Sequence, residues 1–235
     1  YERHFVGRNI DFYRTERFIR RGDELVRIDV PEDSDTDVER EWLLITLRTP
    51  WTVNGTTYPA GALLATNFDD FLAGGRDLTV LFEPDAHTSL TYHAWTKDHL
   101  ILNLLQDVQS RLDVLTPGPD GWSREPMPGV PEGELSGITD TDPEHSNEYL
   151  LNSSGYTQPA TLRRGELGAV EPEILKQAPA LFDTTGIEVR QLFATSADGT
   201  KIPYFVVGKQ NPVDRPTLLS GYGGFEVSLT PSYLG

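Results

Sequence analysis

The sequence contains no cysteine. A disulfide framework, a thiolate zinc site and a cysteine nucleophile are therefore excluded. Basic residues are scarce as well: 20 Lys and Arg stand against 36 Asp and Glu, for a net charge of −16. Such an imbalance repels nucleic acid and anionic lipid over a Debye length and leaves neutral or cationic ligands unopposed, so no nucleic-acid partner is expected. No stretch approaches the run of about 20 apolar residues that a membrane helix requires, so no membrane partner is expected either. The opening residues, YERHFVGRNIDFYR, are charged throughout and do not read as a secretory signal, which fits a cytoplasmic protein.

Glycine and proline are plentiful, at 21 and 17 residues, and aromatics make up 10%. These residues punctuate short strands and break helices, so a mainly β chain is expected. The runs ELVRIDV, EWLLITLR, LTVLFE, SLTYHAW, HLILNLL, SRLDVL, NEYLLN and ATLRR are short and rich in β-formers. Between them lie segments dense in Asn, Asp, Gly and Pro, such as VNGTTYPAG and TPGPDGW, which supply turns. Four strands in about 40 to 50 residues is the rhythm of a propeller blade, with a β-sandwich as the rival reading. DHLILNLLQDVQSRLDVLTP and NEYLLNSSGYTQPATLRRGE share a pattern of strand, break and strand, as two copies of one unit would.

The rhythm changes near LKQAPALFDTTG. Beyond it, IEVRQLFATSADGTKIPYFVVG reads as a hairpin turning at Asp198 and Gly199. A polar break, KQNPVDR, then precedes PTLLS, which has the composition of a strand buried on both faces. Residues 1–178 are accordingly assigned to incomplete propeller blades and residues 186–235 to the beginning of an α/β domain.

Candidate metal sites are weak. Asp33, Asp35 and Asp37 open like a calcium loop, but Val38 occupies the place of the required glycine and Leu44 that of the bidentate glutamate. His87, His93 and His99 recur every six residues, yet Asp98 and the intervening residues imply a turn between two strands rather than one shared face. No metal is expected. Asn54-Gly55-Thr56 and Asn152-Ser153-Ser154 match the glycosylation acceptor pattern, which has meaning only on a secretory route.

The segments ATSADGTKIPYFVV and PTLLSGYGGFEVSLTPSY resemble the start of the catalytic domain of the prolyl oligopeptidase family of serine peptidases. Upstream, EWLLI, YPAGALLA, TVLFEPDAHTSL and DHLILNLL are similar to blades of that family's bacterial members. The resemblance implies a partial β-propeller followed by the first strands of an α/β-hydrolase domain, and a parent enzyme that cuts short peptides after proline without a cofactor. It also implies roles for the GYGGF motif. Tyr222 is similar to the oxyanion-hole donor, Phe225 to the aromatic lining the proline pocket, and Gly223 and Gly224 to substrate-binding backbone.

A serine hydrolase of this fold needs a Gly-x-Ser-x-Gly elbow. Ser136, Ser154 and Ser220 each lack the glycine two places earlier, and the five histidines all lie in the blades. The catalytic triad is thus expected outside this chain, which should be inactive alone. Open strand edges on such a piece would favour self-association. The competing functional reading is a non-catalytic propeller that serves as a binding scaffold.

Overall fold

The computed structural model describes residues 2–169, 172–209, 216–225 and 227–233. Short apolar runs and frequent turns produce antiparallel strands almost throughout, each pairing mainly with its neighbour in sequence. Two units are distinguished, Tyr1–Leu90 and Thr91–Gly235.

In the first unit, β1 (His4–Asn9), β2 (Thr15–Arg21) and β3 (Glu24–Ile28) form a three-stranded sheet. Next come β4 (Asp35–Glu39), β5 (Trp42–Thr46), β6 (Trp51–Val53), β7 (Thr56–Tyr58), β8 (Leu63–Asn67) and β9 (Thr79–Phe82). Of these, β4, β5, β8 and β9 make a four-stranded sheet, while β6 and β7 project as a separate hairpin. Asn54 and Gly55 turn that hairpin with φ of 50° and 81°, the left-handed pair that a two-residue connection demands.

Strand β5 explains why the apolar run WLLIT does not alternate. Leu43 and Ile45 enter a core with Ile19, Ile28, Leu64 and Phe68, and Leu44, on the opposite face, is also fully buried. A single helical turn, α1 (Phe68–Leu72), was not expected. Asn67 caps it by accepting from the N–H groups of Asp69 and Asp70 at 3.0 and 3.1 Å, and Phe68 and Phe71 anchor it in the core. The acidic stretch around Asp33 is only partly a loop, since Asp35 and Asp37 lie within β4.

The second unit holds two four-stranded sheets, each in the order of the sequence. One comprises β10 (Thr88–Trp95), whose first residues fall at the boundary, β11 (Leu100–Gln106), β12 (Gln109–Gly118) and β13 (Gly121–Pro126). The other comprises β14 (Leu135–Thr141), β15 (Glu148–Ser154), β16 (Thr161–Glu166) and β17 (Glu173–Gln177). The two similar sequence units seen above supply the second and third strands of each sheet. Ile101 and Leu112 meet Met127, Ile138, Tyr149 and Leu151 in a common core. Trp122 has a ring contact with Trp95 of its own sheet, at 5.8 Å between centroids.

A hairpin of β18 (Ile187–Thr195) and β19 (Lys201–Lys209) follows. Its turn lies where the sequence placed it: Gly199 has φ 89°, and Asp198 accepts from the Thr200 N–H at 3.0 Å. That main-chain donor is the leading reason the Asp198 carboxyl titrates below its usual range. The segment PTLLS is a correction. It forms no strand, and Leu218 and Leu219 are 94% and 93% exposed, because no described strand lies alongside to pair with it. Most of the polar stretch before it, residues 210–215, lies outside the described residues.

Candidate functional site

The GYGGF segment follows PTLLS without regular structure and closes on a turn in which the Val227 N–H donates to the Gly224 carbonyl at 3.2 Å. Phe225, inside that turn, has φ 54°, a left-handed conformation that is uncommon for a bulky side chain. Such backbone persists only where its surroundings hold it, and it clusters at sites of function.

Tyr222 is 56% exposed, and no described residue hydrogen-bonds its hydroxyl. Its ring folds back over Gly224. A Cβ at that glycine would sit 3.2 Å from the phenol oxygen and 3.4 Å from the ring carbon that bears it. A methyl there would require the exposed tyrosine to shift by a few tenths of an ångström. Gly223 differs, since a Cβ there would meet nothing within 4 Å. The structure thus brings Tyr222 and Gly224 together, whereas Phe225 points away at 93% exposure and can form only one wall of any pocket.

The segment is held by a residue that the sequence reading did not single out. Tyr233 stacks on Phe182, with centroids 4.9 Å apart and planes inclined by 11°. Its hydroxyl accepts from the Leu181 N–H at 2.8 Å, and its own N–H donates to Ser154 Oγ at 3.2 Å. These bonds fasten the chain after the motif to the end of β15 and to the stretch preceding β18. A tyrosine following Pro231 and Ser232 was visible, but no spacing rule marks it as an anchor.

The candidate hydroxyl nucleophiles are otherwise engaged or poorly placed. Ser154 Oγ receives the Tyr233 N–H and donates to the Gln158 carbonyl at 3.4 Å, and Ser136 is 6% exposed. His99 Nδ1 pairs with Thr116 Oγ1 at 2.7 Å, and His145 Nδ1 with Asp142 at 3.0 Å. The His145 bond is the main cause that holds the Asp142 carboxyl below its usual range. Among the described residues, no group of three or more His, Cys, Asp or Glu is placed to hold a metal ion. No helix among them is long and apolar enough to cross a membrane.

No family model matches the sequence. Individual proteins do. An uncharacterized peptidase of Sinorhizobium fredii is 35% identical over 193 residues, covering 80% of this chain and 26% of that protein. A prolyl endopeptidase of Elizabethkingia miricola is 32% identical over 89 residues, 37% of this chain and 13% of its own length. Among solved structures, a post-proline cleaving enzyme from Rickettsia typhi superposes with a TM-score of 0.82 at 28% identity, covering 97% of this chain and 34% of that one. The chain therefore spans about a quarter to a third of the proteins it matches over most of its length.

Proposed function

Because this chain belongs to the prolyl oligopeptidase family, we propose that it is part of a serine-type oligopeptidase that hydrolyses short peptides after proline. In this reading residues 1–178 are blades that limit access, and residues 186–235 begin an α/β-hydrolase domain whose serine, aspartate and histidine come from outside these residues. The enzyme works in the cytoplasm.

The observation that carries the reading is the phenol of Tyr222, which lies over Gly224 and has no hydrogen-bond partner among the described residues. An O–H donor that spends no hydrogen bond on any described residue can meet the oxygen that becomes negative when a serine attacks a carbonyl. Fixed in advance, it stabilises that charge without reorganising at the moment of reaction. Phe225 offers a flat apolar face suited to a proline ring, and Gly223 and Gly224 let a peptide backbone approach closely.

The test is Tyr222→Phe in the full-length enzyme with a fluorogenic prolyl peptide. Loss of one such donor lowers kcat by about 10²- to 10³-fold, with KM little changed. An unaltered kcat would remove Tyr222 from the oxyanion site. A parent with no nucleophilic serine in a Gly-x-Ser-x-Gly elbow would favour a binding scaffold instead.

Side chains on the hairpin and beyond it support a second part of the reading, self-association of this piece. Phe193, Ile202 and Val207 are 45 to 49% exposed, and Leu218 and Leu219 almost fully so. Apolar surface of this extent favours association in water.

A further inference from the structure

Each four-stranded sheet passes from its last strand directly to the first strand of the next, as β9 leads to β10 and β13 to β14. β3 leads to β4 in the same way, which puts β1, β2 and β3 in the second, third and last places of such a sheet. The connection between second and third strands therefore recurs four times: residues 10–14 between β1 and β2, residues 47–62 between β5 and β8, residues 107–108 between β11 and β12, and residues 155–160 between β15 and β16. In repeat architectures, connections at one place in the repeat often share a binding role.

Two of the four touch residues 186–235. The Asp107 carbonyl accepts from the side-chain amide of Gln191 on β18. Tyr156 sets its ring against Phe205 of β19, with centroids 5.4 Å apart, and Ser154, just before that connection, accepts the Tyr233 N–H at 3.2 Å. A third, residues 47–62, keeps its aromatics for its own core, where Trp51 and Tyr58 pack.

The remaining connection holds its aromatics out. Phe12 and Tyr13 are 90% and 72% exposed, with their rings edge to face at 4.9 Å. Yet the tip that carries them is fixed. The Asp11 carboxylate accepts from the N–H groups of Tyr13 and Arg14, both at 2.9 Å, and from Arg14 Nε at 2.8 Å, while the Ile10 N–H closes the loop on the Arg14 carbonyl at 2.9 Å. Loop tips facing water are commonly small and polar, whereas a rigid tip bearing two aromatic rings has already given up the freedom that binding would remove, as an interface anchor does.

We propose that Phe12 and Tyr13 dock onto the part of the hydrolase domain that lies outside these residues, on an apolar patch with a polar group for the Tyr13 hydroxyl. The place of this tip in the repeat selects the occupant, because the equivalent connections in the second unit meet the start of the same domain. Asp11 and Arg14 neutralise one another at the tip, so an apolar patch suits it better than a charged one. The inference rests on the reading of residues 186–235 as the beginning of that domain.

In the full-length enzyme, hydroxyl-radical oxidation of Phe12 and Tyr13 is expected to be slower than in a synthetic peptide of residues 8–17 by about fivefold or more, as for anchors withdrawn from solvent. Benzoylphenylalanine in place of Tyr13, or of Phe12 should that variant fail to fold by circular dichroism, identifies the occupant: photo-adducts within one polypeptide to residues beyond Gly235 are expected. Oxidation at the peptide's rate, adducts only to other residues or to a second copy, or no adduct overturns the docking. A parent in which no domain continues beyond Gly235 would overturn the hydrolase reading and the docking together, whereas a continuing domain that gives no adduct removes the docking alone.

Discussion

The side-chain oxygen of Asn103, on β11, accepts a hydrogen bond from the main-chain N–H of Ile138, on β14, at 3.0 Å, although the two strands belong to different sheets. Tyr92 of β10 donates its hydroxyl to the carbonyl of the same isoleucine. β14 is the edge of its sheet, so both main-chain groups of Ile138 face away from their own ladder and are satisfied by side chains of the neighbour. Asn103→Ala leaves the Ile138 N–H buried without a partner and is expected to cost about 1–3 kcal/mol. Urea unfolding of the two proteins measures this, as a lower midpoint at an unchanged slope.

The same contact has a pH signature. Burial pushes the Tyr92 hydroxyl up to about 12, although the residue as a whole is 39% exposed, because the hydroxyl end is tucked against Ile138. An acid whose folded pKa exceeds its unfolded value of about 10 holds its proton more tightly when folded. Its contribution is therefore fully present below pH 10 and is lost as pH climbs toward 12. Tyr92→Phe should flatten the decline of stability over that interval, read as the difference between the two proteins' unfolding midpoints at each pH.

Asp113 is fully buried and takes its hydrogen bonds from two arginines: Arg111 at 3.0 Å through both Nε and Nη2, and Arg124 at 2.7 Å through Nε. Either guanidinium alone compensates much of the carboxylate's desolvation. Arg124→Met is expected to cost about 1.5–3 kcal/mol. Removing Arg111 as well strands a buried charge, and the loss should exceed the sum of the two single losses. A double-mutant cycle by thermal unfolding provides the comparison.

The connection between β11 and β12 has φ of 48° at Asp107 and 69° at Val108. A left-handed β-branched residue costs about 1–2 kcal/mol, more than the extra unfolded-state entropy of glycine at the same place. Val108→Gly should accordingly raise stability by about 0.5–1 kcal/mol. A higher denaturation midpoint is the expected result.

At the GYGGF motif the two glycines should behave differently. Gly224→Ala places a methyl 3.2 Å from the Tyr222 phenol oxygen, which the exposed ring relieves by a shift of a few tenths of an ångström, and should reduce turnover by the full-length enzyme less than Tyr222→Phe does. Gly223→Ala places its methyl in open space and should leave turnover within about threefold of the parent. Steady-state kinetics on one prolyl substrate compares all three variants.

Strand positions were legible because turn residues and β-formers act locally. Asp198-Gly199 fixes the β18–β19 turn whatever lies around it, and the matched sequence units at residues 98–117 and 147–166 recur as the inner strands of successive sheets. Features that depend on distant partners were not legible. Asn103 is one polar residue in LILNLL, and nothing nearby reveals that it answers an edge strand 35 residues on. PTLLS has the composition of a buried strand, but a strand exists only where another lies beside it. The motif at Tyr222 was legible as a pattern, while its anchor at Tyr233 depends on Phe182, 51 positions earlier in a stretch with no regular structure.

Strand order in the two sheets of the second unit simply follows the chain, with every pairing made to the strand just before or just after. Such a meander closes only short loops, so little entropy is lost before each new ladder begins to form. A ribosome releasing this polypeptide from its amino end would deliver each sheet's strands in the order in which they pair. Each sheet could therefore gather itself on emergence, before the residues that finish the next one have been made.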